Sequence, residues 1–207
     1  MQIDGSIKNI IFDLGGVILN INYSLCEKEF SKFGVHDFKN IYSQKDQLDL
    51  FDDFEIGKIS AREFRERLKK LIPQKISDRQ FDDAWNAMLL DLPKERIKLL
   101  EQLKTKYRTF LLSNTNEIHI KCISEYLYLA YGFNNFNNLF EKVYFSYEVG
   151  MRKPNADIFK LVLEENKLKK DETLFIDDSI QHIETGNKIG IKTLFLEKGK
   201  TILEIFT

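Results

Sequence analysis

Five short apolar runs punctuate a chain that otherwise shows helical spacing. They lie at 10–12, 109–112, 143–145, 173–176 and 193–196, are rich in β-branched residues, Leu or Phe, and are too short for helices, so each reads as a buried strand. Between the later runs the apolar period lengthens. Leu99, Leu100 and Leu103 share one face of a helix beginning near Pro93, and Ile158, Leu161, Val162 and Glu165 follow Pro154 at helical spacing. Strands alternating with helices predict an α/β fold, a doubly wound parallel sheet covered on both faces.

Between the first and second runs, residues 20–107 contain no strand-like segment and several helical ones. In "SAREFRERLKKLI", Ser60 reads as an N-cap with Glu63 completing a capping box, and Phe64, Leu68 and Leu71 form one stripe. Phe81, Trp85 and Met88 make a second stripe after Ser77, with Trp85 read as core. So long an insertion in the first crossover predicts a helical cap: a core domain of 1–19 and 93–207, and a cap domain of 20–92. The Asn- and Phe-rich stretch 131–140 reads as a loop that packs locally or lines an entrance.

Composition narrows the partners. Lys plus Arg is 31 and Asp plus Glu is 32, and no basic stripe marks a nucleic-acid or anionic-membrane surface, so a small-molecule partner is expected. Cys26 and Cys122 lack metal-ligand spacing and read as reduced thiols. The N-terminus lacks a basic stretch followed by an apolar run, and no apolar run approaches a membrane span, so a cytoplasmic location is expected. Without a secretory signal, the glycosylation pattern at Asn22 counts as chance.

The chemistry lies at the strand ends, where open parallel sheets bind ligands. Asp13 closes the first run, Ser113 and Asn114 the second, Lys153 follows the third, and Asp177 with Asp178 closes the fourth. Adjacent carboxylates at the end of an apolar strand repel each other and resist burial, which calls for a cation. A hard ion such as Mg²⁺ fits, since it takes a few carboxylate oxygens and keeps water or phosphate as its other ligands. With Mg²⁺ and Lys153 offsetting phosphate charge and Ser113 bonding its oxygens, Asp13 is placed to attack phosphorus and form an aspartyl-phosphate. Gly15 and Gly16 suit a tight turn beside it.

In order and spacing, "FDLGGVI", "LLSNTN", "GMRKPNADIF" and "LFIDDSIQHIETGNKIGIKT" resemble the haloacid-dehalogenase-like (HAD) hydrolases with helical caps inserted after the first strand. The wording is most similar to the branch holding α-D-glucose-1-phosphate phosphatases and the phosphatase domain of soluble epoxide hydrolases. The resemblance implies that the first strand lies between the second and fourth. It implies Asp13 as nucleophile, Ser113 and Asn114 as phosphate ligands, and Lys153 as the bridge between phosphate and nucleophile. Asp13, the Gly15 carbonyl, Asp177 and Asp178 then serve Mg²⁺, with Asp178 favoured over Asp177 as a direct ligand. The expected activity is hydrolysis of a small phosphomonoester, such as a sugar phosphate.

One position departs from the family pattern. Most phosphatases of this family carry a second Asp two residues after the nucleophile as general acid, and here it is Gly15. Such acid-base help is worth about 10²- to 10⁴-fold. Glu55, near the turn at Gly57, is a candidate proton carrier, although a solvated helix-end charge is the simpler reading. Arg152 reads as a structural or gating partner of a cap carboxylate, with substrate contact as the alternative, and Asn116 as a helix cap, with a role near the substrate second. His36, His119 and His182 form no metal or triad pattern, and "EKGKT" lacks the rest of a phosphate loop. The alternatives are a phosphate-binding regulator that has lost turnover through Gly15 and a dehalogenase, which needs no paired acids; a phosphomutase is disfavoured by the missing acid, and a receiver domain by the cap.

Overall fold

In the computed structural model, residues 4–35, 38 and 49–206 are described. The five apolar runs form five parallel strands: β1 (Asn9–Phe12), β2 (Arg108–Ser113), β3 (Lys142–Phe145), β4 (Thr173–Asp177) and β5 (Lys192–Phe195). Their order is β3-β2-β1-β4-β5, with β1 between β2 and β4 as expected. The two-residue pleat divides the core. Ile10, Phe12, Leu111 and Ile176 face one cluster, while Ile11, Phe110, Leu112 and Phe175 face the other.

Among the described residues, the helices are α1 (Tyr23–Ser31), α2 (Asp49–Glu55), α3 (Ala61–Lys69), α4 (Asp78–Asn86), α5 (Lys94–Leu103), α6 (Glu117–Tyr131), α7 (Ser146–Val149), α8 (Ala156–Asn166) and α9 (Ile180–Lys188). Leu100 and Leu103 of α5 and Ile120, Ile123 and Leu127 of α6 cover the first face. Ile158, Phe159 and Val162 of α8, with Ile183 of α9, cover the second.

Helices α1 to α4 bury a third apolar cluster of their own. It is mostly aromatic: Phe54 stacks on Phe64 at 4.2 Å, and Trp85 stacks on Phe51 at 5.7 Å. Arg65 binds Asp82 through two bonds of 2.7 and 2.9 Å, tying α3 to α4. Ile118 of α6 joins this cluster, so the helical layer packs directly on the sheet layer. The strands of chain entering and leaving it pair with each other: Asn20 N–H donates to the Asp91 carbonyl at 2.9 Å, and Asn22 N–H to that of Met88 at 2.8 Å.

Two expectations change in detail. Ser60 caps α3 through the Glu63 N–H, but the Glu63 side chain pairs with Arg67 instead of returning to the cap, and the reciprocal box forms at Ser77 and Gln80. Leu71 lies beyond the end of α3 and is half exposed, while Ile72 is buried in its place. The 131–140 stretch packs locally, as read: Phe136, Leu139 and Phe140 are buried in the core of the first face. Cys26 and Cys122 are free thiols. No helix among the described residues is long and apolar enough to cross a membrane.

Candidate active site

The sheet register makes the acidic cluster. Phe12 pairs with Ile176 on the neighbouring strand, so Asp13 and Asp177 emerge one step later, side by side and on the same side of the pleat. The Asp13 N–H donates to the Ile176 carbonyl at 2.9 Å, which carries the ladder to the catalytic edge. Asp178 follows, and carboxylate oxygens of Asp13, Asp177 and Asp178 lie within 4.8 Å of one another.

Lys153 enters this cluster fully buried. Its Nζ donates to Asp13 Oδ1 and to Asp177 Oδ2, both at 2.6 Å, and lies 5.4 Å from the centre of the Phe175 ring. The lysine is placed by Asn114: the Lys153 N–H donates to Asn114 Oδ1 at 2.9 Å, and Asn114 Nδ2 donates to the Lys153 carbonyl at 2.8 Å. The Asn114 side chain is therefore engaged with Lys153, a use distinct from the phosphate contact expected of it. Ser113 is buried at the end of β2 and lines the same cavity as Asp13. The turn after it is pinned by Ser146, whose hydroxyl accepts from Thr115 N–H at 2.9 Å and donates to the Thr115 carbonyl at 3.0 Å.

Asp177 is the most engaged carboxylate. It accepts from Lys153, from Ser179 N–H at 2.8 Å and from His182 Nδ1 at 3.0 Å. Burial drives its pKa up, but Lys153 and His182 outweigh this and hold it below the usual carboxylate range. His182 itself is pushed down by burial and by Lys153, while its Nδ1 faces the Asp177 carboxylate at 3.0 Å. Asp13 moves the other way: burial, with Asp177 and Asp178 beside it, pushes it up to about 7 against the pull of Lys153. Burial and Asp177 raise Asp178 to about 6. Beside Lys153, two of the three carboxylates are thus still raised, and a divalent cation would lower both.

The donor set fits such an ion. Three carboxylates share one lysine, and all offer hard oxygens. Gly16, at φ +78°, leaves room for Asp178: a Cβ there would lie 2.1 Å from Asp178 Oδ2. Gly15 is not strained, and a Cβ there meets only the Ile21 side chain, at 3.3 Å. Gly15 lines the cavity, and its position offers the site a backbone carbonyl but no carboxyl.

The cavity is lined by Asp13, Ser113 and Asp178 together with Glu55 and Arg152. Glu55 is not the solvated helix-end charge of the simpler reading: it is 8% exposed, and its Oε2 lies 3.0 Å from Arg152 Nη2. Arg152 also pairs with Asp52, the cap-carboxylate partner expected for it. Asn116 caps α6 by accepting from His119 N–H at 3.1 Å. His119 stacks on Trp85 at 5.0 Å and donates from Nε2 to the Trp85 carbonyl at 3.3 Å, across the seam between layers. His36 lies outside the described residues. Sequence patterns missed Ser146 and His182. For His182 a signal existed, because the third residue of a helix opening just after a strand-end acid faces back toward that acid.

Residues 7–190 match the model of a hydrolase family, haloacid dehalogenase-like hydrolase. A D-ribitol-5-phosphate phosphatase of Bacteroides thetaiotaomicron is 31% identical over 193 residues, 93% of each chain. A solved HAD family enzyme of the same organism, an aspartate-to-alanine variant in complex with magnesium and inorganic phosphate, aligns with a TM-score of 0.92 at 35% identity, covering 97% of this chain and 99% of that one. The structure of a HAD-like family hydrolase from Porphyromonas gingivalis aligns with a TM-score of 0.88 at 33% identity, over 98% and 97% of the two chains.

Proposed function

The chain belongs to the haloacid dehalogenase-like hydrolases, and from that footing we propose that it is a Mg²⁺-dependent phosphatase acting on a small sugar or polyol phosphate. The carrying observation is Lys153 Nζ held at 2.6 Å from both Asp13 and Asp177, with Asp178 completing the acidic cluster. The reading divides the chain into a core of 1–19 and 93–207 and a cap of 20–92, supported by the separate aromatic cluster of the helical layer.

Asp13, Asp178 and the Gly15 carbonyl would hold the ion, with Asp177 engaged chiefly in fixing Lys153. When bound, Mg²⁺ supplies the positive charge that offsets substrate phosphate and keeps Asp13 ionised. Ser113 and backbone N–H groups of its turn bind phosphate oxygens. An Asp13 carboxylate oxygen attacks phosphorus, the bond from phosphorus to the leaving oxygen breaks, and that oxygen takes a proton from water in the cavity. The hydroxide left by that water then attacks the phosphorus of the aspartyl-phosphate, and cleavage of the bond from phosphorus to Asp13 releases inorganic phosphate and restores the carboxylate. Glu55 is paired with a guanidinium and therefore acts as an acceptor, not as the proton donor missing at Gly15.

Phosphate release from a panel of metabolite phosphates, in Mg²⁺ and in EDTA, with Asp13→Asn alongside, tests the proposal. Turnover is expected from the unmodified chain in Mg²⁺ alone. Equal turnover by the variant, or indifference to EDTA, overturns it. Gly15 favours one second reading, a phosphate-binding regulator, which predicts phosphate binding with no turnover on any substrate.

A further inference from the structure

Asp177 stands between Lys153 and the head of α9, and donors hold it from both sides. Ser179 N–H donates to its Oδ1 at 2.8 Å, and Lys153 Nζ to its Oδ2 at 2.6 Å. His182 adds a contact of a different kind: its Nδ1 lies 3.0 Å from Oδ1 and 3.0 Å from Oδ2. An ionised carboxylate only accepts hydrogen bonds, so Nδ1 is the donor in this pairing. The first turn of α9 brings the imidazole there, with His182 N–H donating to the Ser179 carbonyl at 3.1 Å.

With Oδ1 fixed by a backbone N–H, Oδ2 can still swing about it. A donor that reaches both oxygens fixes Oδ2 as well, and Oδ2 is the oxygen that Lys153 shares with the nucleophile. The ammonium is fully buried, 2.6 Å from Asp177 Oδ2 and 2.6 Å from Asp13 Oδ1, on a stem of four flexible carbons. An ammonium that loses Oδ2 in so dry a place settles on its remaining acceptor. It would then load the Asp13 carboxylate with further hydrogen bonds and make it a poorer nucleophile. The four side chains His182, Asp177, Lys153 and Asp13 thus form one line of buried polar contacts, in which each link sets the place of the next.

We propose that His182 is a positioning residue for phosphoryl transfer: through Nδ1 it fixes Asp177 Oδ2 and so keeps the Lys153 ammonium shared between Asp177 and Asp13. The proposal rests on the phosphatase reading and adds to it a residue that touches neither substrate nor phosphorus.

The position of the donor provides the test. In His182→Asn the amide nitrogen is one bond from the γ carbon, where Nδ1 stands; in His182→Gln it is carried out to the distance of Nε2; His182→Leu has no donor. The readout is the rate constant of p-nitrophenolate release in a single turnover, in Mg²⁺, with the protein in saturating excess over p-nitrophenyl phosphate. This first-order constant reports attack by Asp13 in folded molecules and does not depend on the fraction folded. His182→Gln and His182→Leu are expected to lower it by about 10²-fold, as a small misplacement of a reacting group does, while His182→Asn stays within about tenfold of the unmodified chain. A histidine that merely packs would lower the urea midpoint of all three variants and leave the constant unchanged. A constant for His182→Gln equal to or above that of His182→Asn, or one for His182→Leu within about threefold of the unmodified chain, overturns the proposal and leaves the phosphatase reading standing. An unmodified chain that hydrolyses neither p-nitrophenyl phosphate nor any member of the panel above overturns the phosphatase reading, and the proposal with it.

Discussion

Asn114 and Lys153 hold each other by two reciprocal hydrogen bonds, of 2.9 and 2.8 Å, between the side-chain amide of one and the backbone of the other. The amide fixes where the lysine's backbone lies and hence where its ammonium meets Asp13. Asn114→Ala is expected to lower kcat by about 10²-fold, as a small misplacement of a reacting group does. Asn114→Asp should fall at least as far, since a carboxylate would face the Lys153 carbonyl. Steady-state kinetics in Mg²⁺ check this, and an active Asn114→Asp would remove the clamp from the account.

The raised pKa of Asp13 makes stability pH-dependent when metal is stripped. Between the ordinary carboxylate range and about 7, the folded chain holds a proton on Asp13 that the unfolded chain has lost. Stability contributed by that proton is full below this window and is lost as pH rises through it. Buried His119, whose pKa is lowered to about 4, acts in the opposite sense over the same range, so the comparison is made against Asp13→Asn, which keeps His119 and lacks the Asp13 proton. By urea denaturation in EDTA, the unmodified chain should lose about 1–4 kcal/mol relative to that variant between pH 5 and pH 8. Mg²⁺ at about 100 times its Kd should restore about 2.7 kcal/mol to the unmodified chain.

Gly16 combines a left-handed backbone with contact against Asp178. Gly16→Ala is expected to destabilise the fold by about 1–3 kcal/mol and to displace Asp178. The Mg²⁺ concentration for half-maximal activity should rise, by titration, more than the unfolding midpoint alone would suggest.

Gly15 has neither constraint, so Gly15→Asp is expected to fold with a small shift of Ile21. A carboxyl there can protonate a departing alkoxide. The ratio of alkyl phosphate to p-nitrophenyl phosphate turnover should rise, within the range of about 10²- to 10⁴-fold that positioned acids supply. An equal change on both substrates would count against that role.

Much of this architecture was legible in the chain because it is local. Each strand is a contiguous apolar run, and the acids at the ends of β1 and β4 follow those runs directly, so a parallel register brings Asp13 beside Asp177. What the sequence does not specify depends on how layers dock. A cap carboxylate is expected for Arg152, but not which one, and it is Asp52, 100 residues away in the chain; the contact of Ser146 with Thr115, across 31 residues, is not foreseen at all. No periodicity encodes which face of α2 descends on which loop. The burial of Glu55 was misjudged for the same reason: its exposure is set by Arg152, not by its neighbours in sequence.

Trp85, the single tryptophan of the chain, stands where the two layers meet, stacked on His119 and with its Nε1 3.5 Å from Asn116 Oδ1. Its emission is therefore an intrinsic optical gauge of that boundary. Any parting of the layers during a turnover cycle admits water to the indole and shifts its fluorescence to the red, so rapid mixing with Mg²⁺ and phosphate can time the event with no label attached.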